Sequence, residues 1–388
     1  MDHELAPEVS ELRRTVRAFL ERKSSEADVR RIVDGGLRRD DDVWRQMAGQ
    51  LGLQGLLVPE SFGGQGTSFV EMEVVLEELG RSLLPAPFLS SAVLAVSALT
   101  AAGDDGVSAD LLPALAEGRS TATVAFSEGF VCRPGESTVV ARRAGSGWVL
   151  DGRVDAVLDG ASADTLLVVA PTENGLGLFA VGPDRNGVTH TELAVLDPTR
   201  PMAAIDFHAA GARRVGGDFT DGQRWLLALG AAAVSAELAG ATQKVLETAV
   251  EYARLREQFG KQIGSFQAVK HLCADIFVTA ESALSVARHA ARTAAYDPSG
   301  LAEAASLAKA YSSEACALAA EQNIQVHGGI GFTWEHPAHL YLRRAKSGEL
   351  LFGDSAHHRG VLAGLLGLTA VPAQRHAPRA LAHEEAGV

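Results

Sequence analysis

Apolar positions recur at helical spacing over the first 120 residues, in short β-rich runs over the next hundred, and at helical spacing again to about residue 370. Over 8–21, Val9, Leu12, Val16, Phe19 and Leu20 share one helical face with charges between them. Over 70–84, Val70, Val74, Leu76 and Leu79 repeat the pattern. Between these two helices, Val58-Pro59-Glu60-Ser61-Phe62-Gly63-Gly64-Gln65-Gly66 is dense in turn formers and predicts a loop. From 121 to 218, strands are predicted at 123–126, 138–140, 148–150, 165–170, 178–181 and 203–207, separated by Gly, Pro, Asn and Asp clusters. Such spacing suits a small sandwich or barrel. From 219 the chain becomes alanine-rich, and helices are predicted at 222–257, 266–296, 301–327 and 338–349, with Asp297-Pro298-Ser299-Gly300 as a connector. Antiparallel neighbours on short loops make a four-helix bundle. The pattern therefore describes an α+β multidomain chain. It comprises an N-terminal helical domain (1–120), a middle β-barrel or sandwich (121–218), a C-terminal four-helix bundle (219–370) and a flexible tail (371–388).

Bulk properties narrow the function classes. At 388 residues the chain exceeds the roughly 250–300 at which single cores stop growing. Its net charge of −13 argues against nucleic acid or an anionic membrane as principal partner. Cys132, Cys273 and Cys316 form no CxxC pair, and an odd count offers no disulfide framework, which fits a reducing cytoplasm. The apolar stretch 225–241 contains Glu237 and falls short of the roughly 20 residues of a membrane span, so a soluble protein is expected.

Several familiar chemistries are missing. No GxGxxG follows a strand, and neither GxxxxGK[ST] nor HExxH occurs. His336 with His339, and His357 with His358, lack further convergent ligands, so no metal site is expected. Ser306-Leu307-Ala308-Lys309 matches SxxK, but it lies mid-helix without the companion motifs and reads as a chance match. Two segments carry more. In the stretch from Tyr252 to Gln267, Tyr252 and Arg256 share a helical face, Phe259 follows a turn later, and Gly260 and Gly264 permit a tight reversal. A guanidinium there can grip a pyrophosphate bidentately, though residue chemistry alone leaves an ordinary hairpin with surface charges open. In Gln325-Val326-His327-Gly328-Gly329-Ile330-Gly331-Phe332, paired glycines close a helix; they make a left-handed cap, or let a phosphate come close.

In this order the two segments resemble the acyl-CoA dehydrogenase family, whose bundle carries YxxxRxxFGxxIxxxQ and then QxxGGxGF. The stretch from Trp44 to Glu60, Phe62-Gly63-Gly64 and the helix–barrel–helix order are similar too, so the resemblance spans about the whole chain. It implies FAD as cofactor and α,β-desaturation of an acyl-CoA thioester, with a carboxylate base taking the α proton and an electron-transfer flavoprotein as a further partner. It also implies that Arg256, Phe259, Gln267, Gln325, Gly328 and Gly329 contact the ADP half of an FAD bound mainly by a neighbouring subunit. The family's base, the Glu of YEGTxxxxR, maps onto Phe352, and its alternate position, before an Arg on the first bundle helix, onto Gln223. Neither can abstract a proton, which leaves Asp354 as the carboxylate beside the vacant position. The TEPxxGSD stretch corresponds to 127–134 without the GSD, and Ala156 and Leu158 stand where an aromatic and a hydroxyl residue flank the flavin. Features offered to a neighbour's FAD remain while those for the chain's own flavin are lost. This resembles the non-catalytic half of heteromeric acyl-CoA dehydrogenases acting on steroid side-chain thioesters in actinobacteria. The expectation is a subunit sharing its FAD site with a base-bearing partner. A self-sufficient homo-oligomer using Asp354, and a non-redox scaffold on the same fold, are the alternatives.

Overall fold

A computed structural model of the chain describes residues 6–131, 137–173, 175–184 and 186–368. Cys132 and the 371–388 tail lie outside the described residues. The chain opens with helices α1 (Pro7–Lys23), α2 (Glu26–Asp34), α3 (Asp41–Leu51) and α4 (Phe69–Ser82). Their starts are chemically marked: Ser25 with Asp28, and Ser68 with Glu71, form capping boxes, and Asp40 accepts from two backbone N–H groups of α3. A π-helical stretch, Phe88–Ala95, runs into α5 (Val96–Ala102), and α6 (Asp105–Ala116) follows. The Trp44 indole donates to Gly118 O at 3.1 Å, fixing α3 on the end of α6.

The middle domain is one seven-stranded sheet of β1 (Ala122–Phe126), β2 (Val139–Ala144), β3 (Gly147–Leu158), β4 (Thr165–Thr172), β5 (Gly175–Val181), β6 (Val188–Glu192) and β7 (Met202–Val215), in the order β1-β4-β5-β7-β3-β2 with β6 also on β7. Only β1 and β4 (Thr165–Thr172) run parallel. The long β7 pairs with β5 (Gly175–Val181) at one end and with β3 (Gly147–Leu158) along the rest, and register shifts between β3 and β7 bend the sheet. Val139, Leu150, Val157, Leu166, Val168, Phe179, Ile205 and Phe207 form its own core. Strand β3 is far longer than the run at 148–150 predicted, because register shifts between Leu150 and Gly152 and between Val154 and Val157 interrupt its alternation of buried and exposed residues.

The bundle comprises α7 (Thr220–Leu255), α8 (Gln267–Tyr296), α9 (Leu301–His327) and α10 (Ala338–Leu350), with an additional α11 (Ser355–Leu365). Helix α7 is long and apolar enough to cross a membrane, but 83% of its apolar window is buried inside the protein, as a core helix requires. It meets α4 backbone to backbone. A Cβ on Gly80 would stand 2.0 Å from Glu237 O, and one on Gly240 1.9 Å from Glu77 O. Only glycine permits that approach. It carries α4 carboxylates inward, where Arg17 grips Glu78 through two nitrogens and Arg13 pairs with Glu77. A second buried ionic cluster joins sheet to bundle: Arg344 of α10 donates to Asp197 at 2.7 Å and to Thr199 Oγ1 at 2.6 Å, and Arg200 pairs with Glu237 of α7.

Candidate functional site

Two places carry the residues singled out by sequence, one open to solvent and one filled. The open one is a corner at the far end of α7. Arg256 leaves the helix extended; its N–H donates to Tyr252 O at 2.9 Å and its carbonyl accepts from Ile263 N at 2.8 Å. Between these bonds, Glu257–Gln258 and Lys261–Gln262 pair as the two-residue strands β8 and β9. Phe259 and Gly260 make the turn with φ of 53° and 72°. That is the primed-turn geometry of tight hairpins, and it strains a residue carrying a side chain. The strained Phe259 ring is not packed away: it is 90% exposed, touching only the edge of Phe266 at a centroid distance of 6.1 Å. Lys261 Nζ sits 4.3 Å over the Phe266 ring, and Gln267 then opens α8.

On the facing element α9 ends at His327, and Gly328 takes φ 62°, ψ −139°, a conformation essentially confined to glycine. Nothing lies within 4 Å of a Cβ built on Gly328 or Gly329. The Tyr252 ring stacks on His327 with centroids 4.3 Å apart. Residue 256 is one turn beyond the first ring and residue 328 adjoins the second, so this stack brings the two motifs to one corner. His327 Nδ1 donates to Asn323 O at 2.8 Å, and burial lowers its pKa, so the stacked ring is neutral. Arg256, Phe259, Gln267, Gln325, Gly328 and Gly329 are all exposed. The Arg256 guanidinium has no partner among the described residues. A free guanidinium, a projecting ring and a glycine-opened helix end suit an anionic dinucleotide.

The filled place lies where the family's base would stand. Phe352, in the α10–α11 loop, is 2% exposed with φ 58°. Its ring meets Phe130 edge-on at 5.0 Å and Phe126 at 6.4 Å. Gln223, on α7 and 1% exposed, donates from Nε2 to Glu128 Oε2 at 3.2 Å. The two positions that the sequence resemblance matches to the family's base thus converge, from different elements, on the single segment 126–130 at the end of β1. Asp354 is exposed and accepts from His357 N at 2.7 Å, so its carboxylate caps α11. At the end of β3, Leu158 is buried and apolar and Ala156 half-buried. Neither offers a ring or a hydroxyl. The next residue, Asp159, lines a surface crevice, but its carboxyl turns inward to accept from Ser90 Oγ at 2.5 Å, and burial pushes its pKa up to about 6.

Polar groups distant from one another along the chain hold the Phe352 loop. His358 Nε2 donates to Phe352 O at 2.9 Å while its Nδ1 pairs with the Ser306 hydroxyl at 3.2 Å; burial drives this ring down to about 4, so it is neutral. Lys309, fully buried, donates to Gly353 O at 2.8 Å, Ser313 Oγ at 2.9 Å and Glu349 O at 3.0 Å. Burial lowers its pKa to about 7, while three acceptors match three ammonium protons. Ser306 and Lys309 are the pair that sequence reading set aside as a chance SxxK. Their spacing of three puts both on one face of α9, the face that carries this loop. Among the described residues no cluster of His, Cys, Asp or Glu could hold a metal ion.

Comparison with known proteins follows the same outline. The family model for the acyl-CoA dehydrogenase N-terminal domain matches residues 6–119, and that for the C-terminal domain matches 222–366. Acyl-CoA dehydrogenase IpdE2 of Mycolicibacterium smegmatis is 33% identical over 88% of this chain and 93% of its own length. A crystal structure of the ChsE4-ChsE5 complex from Mycobacterium tuberculosis contains a similar chain, with TM-score 0.87, 31% identity, and coverage of 95% of this chain and all of that one. A Tcur3481-Tcur3483 steroid ACAD variant is similar at TM-score 0.81 and 29% identity, covering 93% of this chain and 98% of that one.

Proposed function

The chain belongs to the acyl-CoA dehydrogenase family, and from that premise we propose that it is the base-less subunit of a two-subunit enzyme desaturating a bulky, steroid-type acyl-CoA. One observation carries the reading: the corner suited to a dinucleotide stands open while the base position is filled by a buried phenylalanine. FAD, when bound, supplies the two-electron acceptor for the desaturation. Toward it, the Arg256 guanidinium offers a fork of donors to the pyrophosphate, the Gln267 and Gln325 amides offer hydrogen bonds, and Gly328 and Gly329 keep side chains out of the phosphate's approach. The projecting Phe259 ring offers an apolar face to the adenosine half. The α proton of the thioester needs a carboxylate that this chain does not bring to segment 126–130 from either family position, so the partner subunit provides it. An electron-transfer flavoprotein then reoxidises the assembly.

The steroid class rests on a similar structure described as a steroid ACAD. The test is the flavin spectrum of the chain purified alone and with an acyl-CoA dehydrogenase subunit encoded beside it. Flavin absorbance in the mixture alone, bleached by acyl-CoA, is expected. Flavin in the chain alone, bleached by acyl-CoA, would establish a self-sufficient homo-oligomer, and colourless protein in both would leave a scaffold. Arg256→Ala should strip flavin from the mixture, read as the 450 to 280 nm ratio, with an unchanged melting temperature. Full flavin content in that variant refutes the assigned role.

A further inference from the structure

Phe352 does more than lack a carboxylate. Its left-handed backbone, φ 58°, is unfavourable for a bulky residue, yet two donors fix it: His358 on its own carbonyl and the buried Lys309 on the next. Its ring lies in a notch of α7 that exists because residue 230 is glycine; a Cβ there would stand 2.5 Å from ring carbon Cε1. Phe126 and Phe130 close over the ring edge-on. A side chain that had merely lost its function would not need a notch cut for it in a neighbouring helix.

We infer that Phe352, seated against Gly230 and lidded by Phe126 and Phe130, is a plug that closes this chain's own acyl site, so that an acyl thioester is directed to the partner's. The inference rests on reading residue 352 as the family's base position. It adds that this space is occupied by design of the packing rather than left empty. Phe352 is on this account a specificity-determining residue, and the ligand it excludes is the acyl portion of a CoA thioester.

The experiment uses the full-length chain without partner or flavin, so a failure of FAD sharing cannot be mistaken for its result. Isothermal titration compares octanoyl-CoA with free CoA. The native chain is expected to bind both alike, because the acyl portion finds no room. Phe352→Ala should prefer octanoyl-CoA by at least tenfold, and Phe352→Leu, which refills much of the space, should lose most of that preference. A merely structural phenylalanine would alter melting temperature in both variants without creating acyl preference. Should Phe352→Ala fail to fold, Phe352→Gly, which relieves the left-handed backbone at that position, vacates the same space and carries the same readout. The plug is refuted if the native chain already prefers octanoyl-CoA tenfold, or if the folded alanine variant binds both ligands alike.

Discussion

Adding one methyl at Gly230 tests the notch directly. The new Cβ would stand 2.5, 2.7 and 2.8 Å from three carbons of the Phe352 ring, where carbon–carbon contacts prefer roughly 3.5–4.0 Å. The ring must therefore retreat by about 1 Å, and Phe130 behind it and the two donors on its loop resist the movement. Overpacking of this kind costs about 1–3 kcal/mol, while Gly→Ala in a helix interior returns about 1 kcal/mol. Gly230→Ala should thus be net destabilising by up to about 2 kcal/mol. Phe352→Ala alone should cost about 3–5 kcal/mol. In the double variant the methyl enters vacated space and keeps its helical advantage, so its cost falls short of the sum by about 1–3 kcal/mol. Unfolding entropy for a chain of 388 residues is on the order of 0.8 kcal/mol per kelvin, so the coupling corresponds to about 1–4 °C. Thermal melts of the four proteins, followed by near-ultraviolet circular dichroism, measure it. Additivity within about 0.5 kcal/mol, or a Gly230→Ala that melts higher than the native chain, would refute the notch.

Two further outcomes follow from strain and burial elsewhere. The Asp159 carboxyl titrates near 6 when folded against 3.8 for the exposed group. The folded state therefore holds its proton more tightly, and stability falls as pH rises from about 4 through 6, by about 3 kcal/mol in all. Asp159→Asn should match the native melting temperature below pH 4 and exceed it by up to about 4 °C at pH 7; a difference that does not change with pH would contradict this. Phe259→Gly removes a left-handed strain of roughly 1–2 kcal/mol and loses almost no packing from a ring that is 90% exposed. The melting temperature should hold or rise while flavin retention in the assembly drops, and undiminished flavin would show that the ring serves nothing.

Periodicity revealed the broad zones because burial there is one-sided and local: Val9, Val16 and Phe19 are buried at helical spacing on α1, and Leu166 to Ala170 form a wholly buried strand. It revealed less where partners are distant or polar. Helix α11 was not anticipated, since its buried residues are Ser355 and His358, held by hydrogen bonds to α9 and the Phe352 loop rather than by an apolar stripe. The two cofactor motifs were readable as strings. Their exposure, the strain at Phe259 and the Tyr252–His327 stack that joins them were not, because each depends on how helix ends meet. The notch at Gly230 left no signal in the string, since the ring that requires it arrives from a loop more than a hundred residues later.

The helix joining the two places also bears on how many chains one cofactor needs. Gly230, against the filled base position and ten residues into α7, and Arg256, at the open corner just past its C-terminus, lie on one continuous helix. At 1.5 Å per residue they are about 39 Å apart along its axis, a length no extended flavin dinucleotide reaches. A cofactor gripped through its pyrophosphate at Arg256 therefore cannot present its ring to the same chain's segment 126–130, whatever residue occupies position 352. On the proposed function its ring would belong to another subunit, so flavin binding would call for an assembly even in a homo-oligomer. What separates a homo-oligomer from a mixed one is the base alone. In a homo-oligomer every ring would face another copy of Phe352 and Gln223, and no copy of either can accept the substrate's proton. Within the proposed function, sharing across subunits rests on the length of one helix and inequality between the subunits on two side chains, so each can fail by experiment without the other.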